Sequence, residues 1–277
     1  MLPKPKHLSP EYAAWFQDAS VVAAYPRRPP YPPEVFDALL DLITDTPRVV
    51  LDVGCGLGDL ARPLAPRVER VDAVDLSAPM IEAGRRMAGG DHPRLRWLHS
   101  AVETAPLSPP YALIVAGDSL HWTDWAIVMP RFADALTPHG VLAIVGRDWT
   151  NPPELAARVR PLFRRYSANR DYQPFDLIQE LEQRGLFRKL GELTIPPSPW
   201  RPTIDDYIES RHSQNGLSRE RMTPADAAAF DAAVRQAIFD TWREGYVGLC
   251  DGRLDLVVES NIVWGRPSCS LKLPFCK

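Results

Sequence analysis

The run Val49-Val50-Leu51-Asp52-Val53-Gly54-Cys55-Gly56-Leu57-Gly58-Asp59-Leu60 decides how the rest of the chain is read. A short β-branched stretch, apolar enough to be buried on both faces, leads into a loop with glycine at 54, 56 and 58. Missing side chains let such a backbone turn sharply and approach a ligand closely. Asp75 stands 23 positions beyond Asp52, at the end of the next β-rich run. A carboxylate there can accept hydrogen bonds from both hydroxyls of a ribose, so loop and acid together predict a nucleotide-like ligand. The third glycine of the dinucleotide fingerprint falls at position 59, where this chain has Asp59. A carboxylate at the helix entrance repels a pyrophosphate, which disfavours NAD and FAD. S-adenosylmethionine, an adenosine without phosphates that carries its positive charge on sulfur, meets no such repulsion.

Working outward, short apolar runs at 49–53, 70–75, 95–99, 112–116 and 141–146 alternate with helical patterns at 59–65, 78–87 and 126–136, the last followed by a turn at 137–140. Strand–helix alternation of this kind predicts an α/β fold with a mostly parallel sheet. Before it, an aromatic and proline-rich approach ends in an amphipathic helix at 34–43. After Arg147 the rhythm changes: helices are expected at 154–166, 175–184, 203–212 and 224–246, and strands at 189–195 and 253–263, the last alternating as an antiparallel edge strand does. The helices between the late strands read as a lid over the carboxyl end of the sheet. The expected division is an N-terminal arm at 1–45, a cofactor-binding core at 46–150, a lid with the last strands at 151–267, and a tail at 268–277.

Composition narrows the partners. Of 277 residues, 32 are Lys or Arg and 35 are Asp or Glu, a net charge of -3, so the broad basic surface that nucleic-acid phosphates require is missing. No apolar run approaches the roughly 18 residues that span a bilayer, and the first ten residues lack the apolar region of a secretory signal. Four cysteines, Cys55, Cys250, Cys269 and Cys276, form no CxxC pair, so neither a structural zinc nor a disulfide scaffold is expected. A cytoplasmic protein, monomeric or homodimeric and acting on a small molecule, is the expectation.

Five blocks, in order, resemble the class I S-adenosylmethionine-dependent methyltransferases: 51–58, 74–81, 100–107, Leu120-His121-Trp122, and 136–142. They cover about residues 45–150, and the small-molecule branch that includes trans-aconitate methyltransferase is the nearest in pattern. The resemblance implies a Rossmann-like fold of seven mostly parallel strands with an antiparallel last strand. It also implies that Asp52, Gly54, Gly56 and Gly58, with Cys55 inside the loop, surround the methionine portion of the cofactor. Asp75 then holds the ribose, Leu76 and Met80 flank the adenine, and the segment Ala101-Val102-Glu103 meets the adenine edge. The chain near Ala116 and Gly117 faces the methionyl amino group. Two departures stand out: Ala101 replaces a polar side chain frequent in relatives, and Ala112 a frequent aspartate.

Around this site several residues have two readings. His121 follows the fourth strand at the ligand-binding edge, either as a general base or, with Trp122, as a packed wall. His212, in the polar run Ser210-Arg211-His212-Ser213-Gln214-Asn215, is the second candidate base; its alternative is a solvated helix end. Tyr25, Arg28 and Tyr31 either close the pocket, with Arg28 on the cofactor's carboxylate, or pack the arm on the core. Arg147, Asp148 and Trp149 line a substrate pocket or are ordinary loop. Cys55 has no neighbouring base and reads as filler. The resulting expectation is in-line methyl transfer to an oxygen or nitrogen of a metabolite, the competing one a cofactor-binding module that has lost catalysis.

Overall fold

The structure is a computed structural model that describes residues 4–149 and 152–268. Eight strands are present among them: β1 Val49–Val53, β2 Arg70–Asp75, β3 Leu95–His99, β4 Tyr111–Gly117, β5 Leu136–Asp148, β6 Phe187–Trp200, β7 Gly248–Cys250 and β8 Arg253–Pro267. The sheet order is β3-β2-β1-β4-β5-β8-β6, with β7 paired to β8 as an added hairpin. Strands β1 to β5 pair in parallel, whereas β8 runs antiparallel to both β5 and β6. The Rossmann-like expectation of a mostly parallel sheet with an antiparallel last strand therefore holds, and β7 is an eighth strand beyond the seven expected. All five residues of β1 are buried, as a strand covered by helices on both faces requires.

Ten α-helices are described: α1 Pro10–Ala14, α2 Ala19–Ala24, α3 Pro33–Asp41, α4 Ala61–Leu64, α5 Ala78–Arg85, α6 Trp125–Ala135, α7 Pro153–Tyr166, α8 Leu177–Gln183, α9 Ile204–His212 and α10 Pro224–Arg243. The helix after the glycine loop is shorter than 59–65. Pro66 has no N–H to donate back to Arg62, and the chain continues as a 3-10 turn over Ala65–Arg67. The turn expected at 137–140 is absorbed into β5, whose pairing with β4 jumps from Tyr111↔Leu136 to Leu113↔Val141.

Three of the four late helices, α7, α9 and α10, share one core around Leu155, Val159, Tyr207, Phe230 and Ile238, which also takes Trp200, Leu254 and Leu256 from the tips of β6 and β8. The fourth, α8, departs from the expected lid. Leu181 joins the sheet's own core with Phe187 and Trp125. In the arm, Val21 packs with Leu57 and Met80, so α2 is seated on the glycine loop and α5. The expected tail at 268–277 lies, apart from Ser268, outside the described residues.

Candidate functional site

A cavity of about 700 Å³ opens at the carboxyl ends of β1, β2 and β4, where Gly54, Asp75 and Gly117 meet. The glycine loop is shaped for this place. Gly54 has φ +63°, and a Cβ there would lie 2.6 Å from the Ser119 Cβ, so only glycine lets the loop pass the end of β4. Parallel pairing of β1 with β2 brings the start of the loop level with Asp75. The Asp75 carboxylate accepts the Gly56 N–H through Oδ2 and the Ser77 N–H through Oδ1, both at 2.7 Å. Burial pushes this carboxyl up, against the two backbone donors that favour the ionised form. Ser77 in turn caps α5, its Oγ accepting from the Met80 N–H at 3.3 Å.

Most residues singled out from the sequence line this cavity. Gly54, Gly56 and Gly117 stand at one end with Tyr25 and Arg28, and Leu76, Met80, Ala101, Val102 and Glu103 at the other. Leu76 is 45% exposed, an apolar platform at the rim. Glu103 is partly committed, since its carboxylate accepts the Asp124 N–H at 2.8 Å. Asp52, Cys55, Gly58 and Ala116 do not line the cavity itself. Asp52 is 1% exposed, and its Oδ2 has no hydrogen-bond partner among the described residues. Burial drives its carboxyl up to about 8, opposed by the Ala61 N–H and reinforced by the charges of Asp75 and Asp59. Burial likewise pushes the Cys55 thiol well up, which leaves it unreactive.

The two candidate bases do not face the cavity. His121 sits in the 3-10 turn Leu120–Trp122, where adjacent side chains diverge. Trp122 takes the wall position, edge-on to Phe16 at 5.5 Å. His121 is turned toward the arm, where burial first and then the cations Lys4 and His7 hold its imidazole down at about 3. His212 is fully buried in the helical core: Nδ1 lies 2.7 Å from the Leu217 carbonyl and Nε2 2.7 Å from Asp231 Oδ1. The ring thus sits between the Leu217 carbonyl and the Asp231 carboxylate, one on each nitrogen. It staples α9 to α10 and is no solvated helix end.

Asp59 is also placed differently from its sequence reading. Its carboxylate pairs with Arg62 Nη2 at 3.3 Å and Arg147 Nη1 at 3.2 Å, outside the cavity wall. A repulsion of phosphates from Asp59 is thus largely neutralised; the acids that line the cavity are Asp75, Glu103, Asp118 and Asp124. Tyr31 lies behind Gly117 with the Arg147 guanidinium over its ring at 4.3 Å. Arg147 and Trp149 are buried beside the helical layer and do not line the cavity.

Sequence reasoning missed the roof. Pro10, Ala13 and Phe16 of the arm cover the cavity, and Lys4 donates to the Thr123 carbonyl at 2.9 Å. Burial holds the Lys4 ammonium down at about 8, opposed by Asp124 and Glu103. Asp118 and Ser119, which follow β4, were also missed; a charged residue just beyond a strand already assigned to the ligand edge was the available signal. Among the described residues no group of three or more His, Cys, Asp or Glu side chains could hold a metal, and no helix is long and apolar enough to cross a membrane.

Residues 50–140 match the family described as methyltransferase domain. An uncharacterised methyltransferase of Mycobacterium tuberculosis is 40% identical over 114 residues, covering 40% of this chain and 56% of the relative. The malonyl-[acyl-carrier protein] O-methyltransferase of Halalkalibacterium halodurans is 31% identical over 105 residues, 35% of this chain and 38% of that one. The matched segment thus spans little over half the length of the first of these relatives and less of the second. Among solved structures, a proposed type II methyltransferase from Anaeromyxobacter dehalogenans superposes with a TM-score of 0.60 at 28% identity, over 86% of this chain and 97% of that one. A methyltransferase from Thiobacillus denitrificans in complex with S-adenosyl-L-homocysteine, at 13% identity and a TM-score of 0.52 over 90% and 97%, shares the fold.

Proposed function

From the premise that this chain carries the core of a class I S-adenosylmethionine-dependent methyltransferase, we propose that it transfers a methyl group from S-adenosyl-L-methionine to an oxygen or nitrogen of a small-molecule metabolite. The observation that carries the reading is the Asp75 carboxylate, pinned beside the glycine loop by the Gly56 and Ser77 N–H groups. Each oxygen spends one lone pair on the backbone and keeps capacity for a ribose hydroxyl. The apolar rim of Leu76, with Met80 buried beside it, suits the two faces of an adenine. We assign Tyr25 and Arg28 to the methionine end, with the backbone at Gly54, Gly56 and Gly117.

When bound, the cofactor supplies a methyl group already activated on a sulfonium. The chain's own task is to hold donor and acceptor in line and to keep water out. Phe16, Trp122 and Tyr25 supply the apolar enclosure for that. No histidine lines the cavity among the described residues, so neither His121 nor His212 has a part as base in this reading. An acceptor oxygen that is already ionised, such as a carboxylate, needs none. We assign 1–45 to an arm that roofs the cofactor, 46–150 to the cofactor core and 151–267 to acceptor selection, with α8 as a support of the sheet. The net charge of -3 supports a small molecule over nucleic acid as partner.

Titration calorimetry with S-adenosylhomocysteine, followed by transfer of labelled methyl groups to a fractionated metabolite extract, tests the proposal. Saturable binding with a labelled product supports it. Binding with no product in any fraction favours a cofactor-binding module that has lost catalysis, and absence of binding overturns the reading.

A further inference from the structure

The amino ends of β1 to β4 form the edge of the sheet opposite the cofactor cavity, and a second hollow of about 370 Å³ opens there. Four prolines, Pro47, Pro93, Pro109 and Pro110, wall it together with Val49. Its charged side chains are Glu69, Arg70 and Arg94. The prolines lie just before β1, β3 and β4, and none has an N–H in need of a partner. The backbone around them is tied in place. The Glu69 N–H donates to the Arg48 carbonyl at 2.9 Å and the Val71 N–H to the Arg94 carbonyl at 2.8 Å, while the Arg48 N–H donates to Glu69 Oε1 at 3.0 Å. The hollow is therefore formed before any ligand arrives, which lowers the ordering cost of binding.

Its charge is unbalanced. Arg70 and Arg96 share one buried carboxylate, that of Asp72. Arg96 takes it through Nε at 2.9 Å and Nη2 at 2.8 Å, the Tyr111 hydroxyl donates to it at 2.7 Å, and Arg70 Nε stands 3.1 Å away. Arg94 adds a further guanidinium, bound only through Nη1 to the Val68 carbonyl at 3.1 Å among the described residues. Glu69 offsets part of this, with one oxygen already given to the Arg48 N–H. Arg70 Nη2 donates to the Ser108 carbonyl at 2.5 Å. Nη1 of Arg70, with Nε and Nη2 of Arg94, then remain as donors with no protein acceptor among the described residues. A cation is repelled here, and a neutral molecule leaves these donors unused. A carboxylate or phosphate matches the guanidinium fork, and the pyrrolidine rings with Val49 give an apolar body a surface to lie on.

We propose that this hollow is a second ligand site, for a small organic anion whose carboxylate or phosphate head lies between Arg70 and Arg94 and whose apolar body rests on the prolines. It stands independently of the cofactor reading, at the other end of the same strands.

NMR titration of the full chain, following its backbone amides, tests it with four probes: phenyl phosphate, benzoate, inorganic phosphate and the neutral benzyl alcohol. Phenyl phosphate or benzoate is expected to saturate below about 10 mM and to move the amides of Glu69, Arg70, Arg94 and Leu95 while those of Gly54 and Gly56 stay in place. Whichever of the two binds more tightly tells a phosphate head from a carboxylate. Arg94→Gln, at an exposed side chain, is expected to weaken that probe about fivefold, and Glu69→Gln, which keeps an oxygen for the Arg48 N–H, to tighten it about threefold. A damaged fold does not produce a gain in affinity. Failure of both aromatic anions to saturate overturns the proposal, as do shifts that gather at the glycine loop. Benzyl alcohol binding as tightly as benzoate removes the charged head, and inorganic phosphate binding as tightly as phenyl phosphate leaves an adventitious ion only; either result overturns it. Unchanged affinity in Arg94→Gln, or no gain in Glu69→Gln, does the same.

Discussion

Asp75 ties the glycine loop to the neighbouring strand, its Oδ2 holding the Gly56 N–H at 2.7 Å while Oδ1 holds that of Ser77 at the same distance. One carboxylate therefore shapes the loop and presents the remaining lone pairs to the cavity. Asp75→Ala is expected to weaken S-adenosylhomocysteine binding by about 1–3 kcal/mol and to lower the melting temperature, because Gly56 loses its acceptor. Asp75→Asn keeps one carbonyl oxygen and should lose less on both counts. Calorimetry and thermal unfolding of the two variants read this directly, and wild-type affinity in both would remove Asp75 from the ribose.

Asp52 carries a pH dependence whose sign follows from its burial. With the folded carboxyl near 8 and its ordinary value at 3.8, the folded protein binds a proton that the unfolded chain has lost across that window. Stability must then fall as pH rises from about 4 to 8. Asp75 and Asp118, also raised, contribute in the same direction, so the slope of the wild type alone is shared. Asp52→Asn, which mimics the protonated acid, isolates one part. Its melting temperature relative to the wild type should climb between pH 5 and pH 8. A constant difference over that range would mean that Asp52 stays ionised when folded.

His212 bridges Leu217 and Asp231, so His212→Ala leaves the buried Leu217 carbonyl without its donor and Asp231 with only the Arg219 guanidinium, at 3.0 Å. A loss of about 2–4 kcal/mol in unfolding free energy is expected. Affinity for S-adenosylhomocysteine, measured well below the melting temperature, should stay within about threefold, since no atom of the ring lines the cavity. A stable variant that binds normally but has lost turnover would return His212 to the list of bases.

Such contrasts show where the sequence is legible. The glycine loop and Asp75 could be read from spacing because a parallel strand pair imposes their proximity: the β1–β2 register places Val53 beside Val74, one residue short of Asp75. His121 and Trp122 could not be told apart, since they are neighbours on a single 3-10 turn and only the arm's position decides which faces the ligand. For His212 the polar run around it looks the same on a wet helix end as in a buried network, and its partner Asp231 lies 19 residues away on α10. Asp59 was read from its place beside the loop, whereas its two arginine partners are a tertiary fact. The roof was hidden for the same reason, because nothing near Phe16 refers to Ser77, whose hydroxyl nonetheless donates to the Phe16 carbonyl at 3.4 Å.

That roof is fastened mainly to the helical layer. Asp18, two residues beyond Phe16, forms a two-pronged pair with Arg221 at 2.7 and 2.8 Å, and Arg221 also lies over Trp15 at 4.6 Å. Glu220 accepts the Ser20 N–H at 2.8 Å, Asn215 donates to the Tyr12 carbonyl at 2.7 Å, and Lys6 and Tyr12 reach Asp171. A ligand seated under the arm is expected to leave as these contacts yield, which would make its dissociation depend on residues that do not line the cavity. Arg221→Ala removes a partly exposed bidentate pair worth about 1 kcal/mol. S-adenosylhomocysteine should therefore dissociate about fivefold faster, followed by tryptophan fluorescence after stopped-flow dilution, with an association rate changed less than the dissociation rate. Ser20→Ala, which keeps the backbone bond to Glu220, should leave both rates near the wild type. Should Arg221→Ala leave dissociation unaltered, the arm opens without parting from the helical layer.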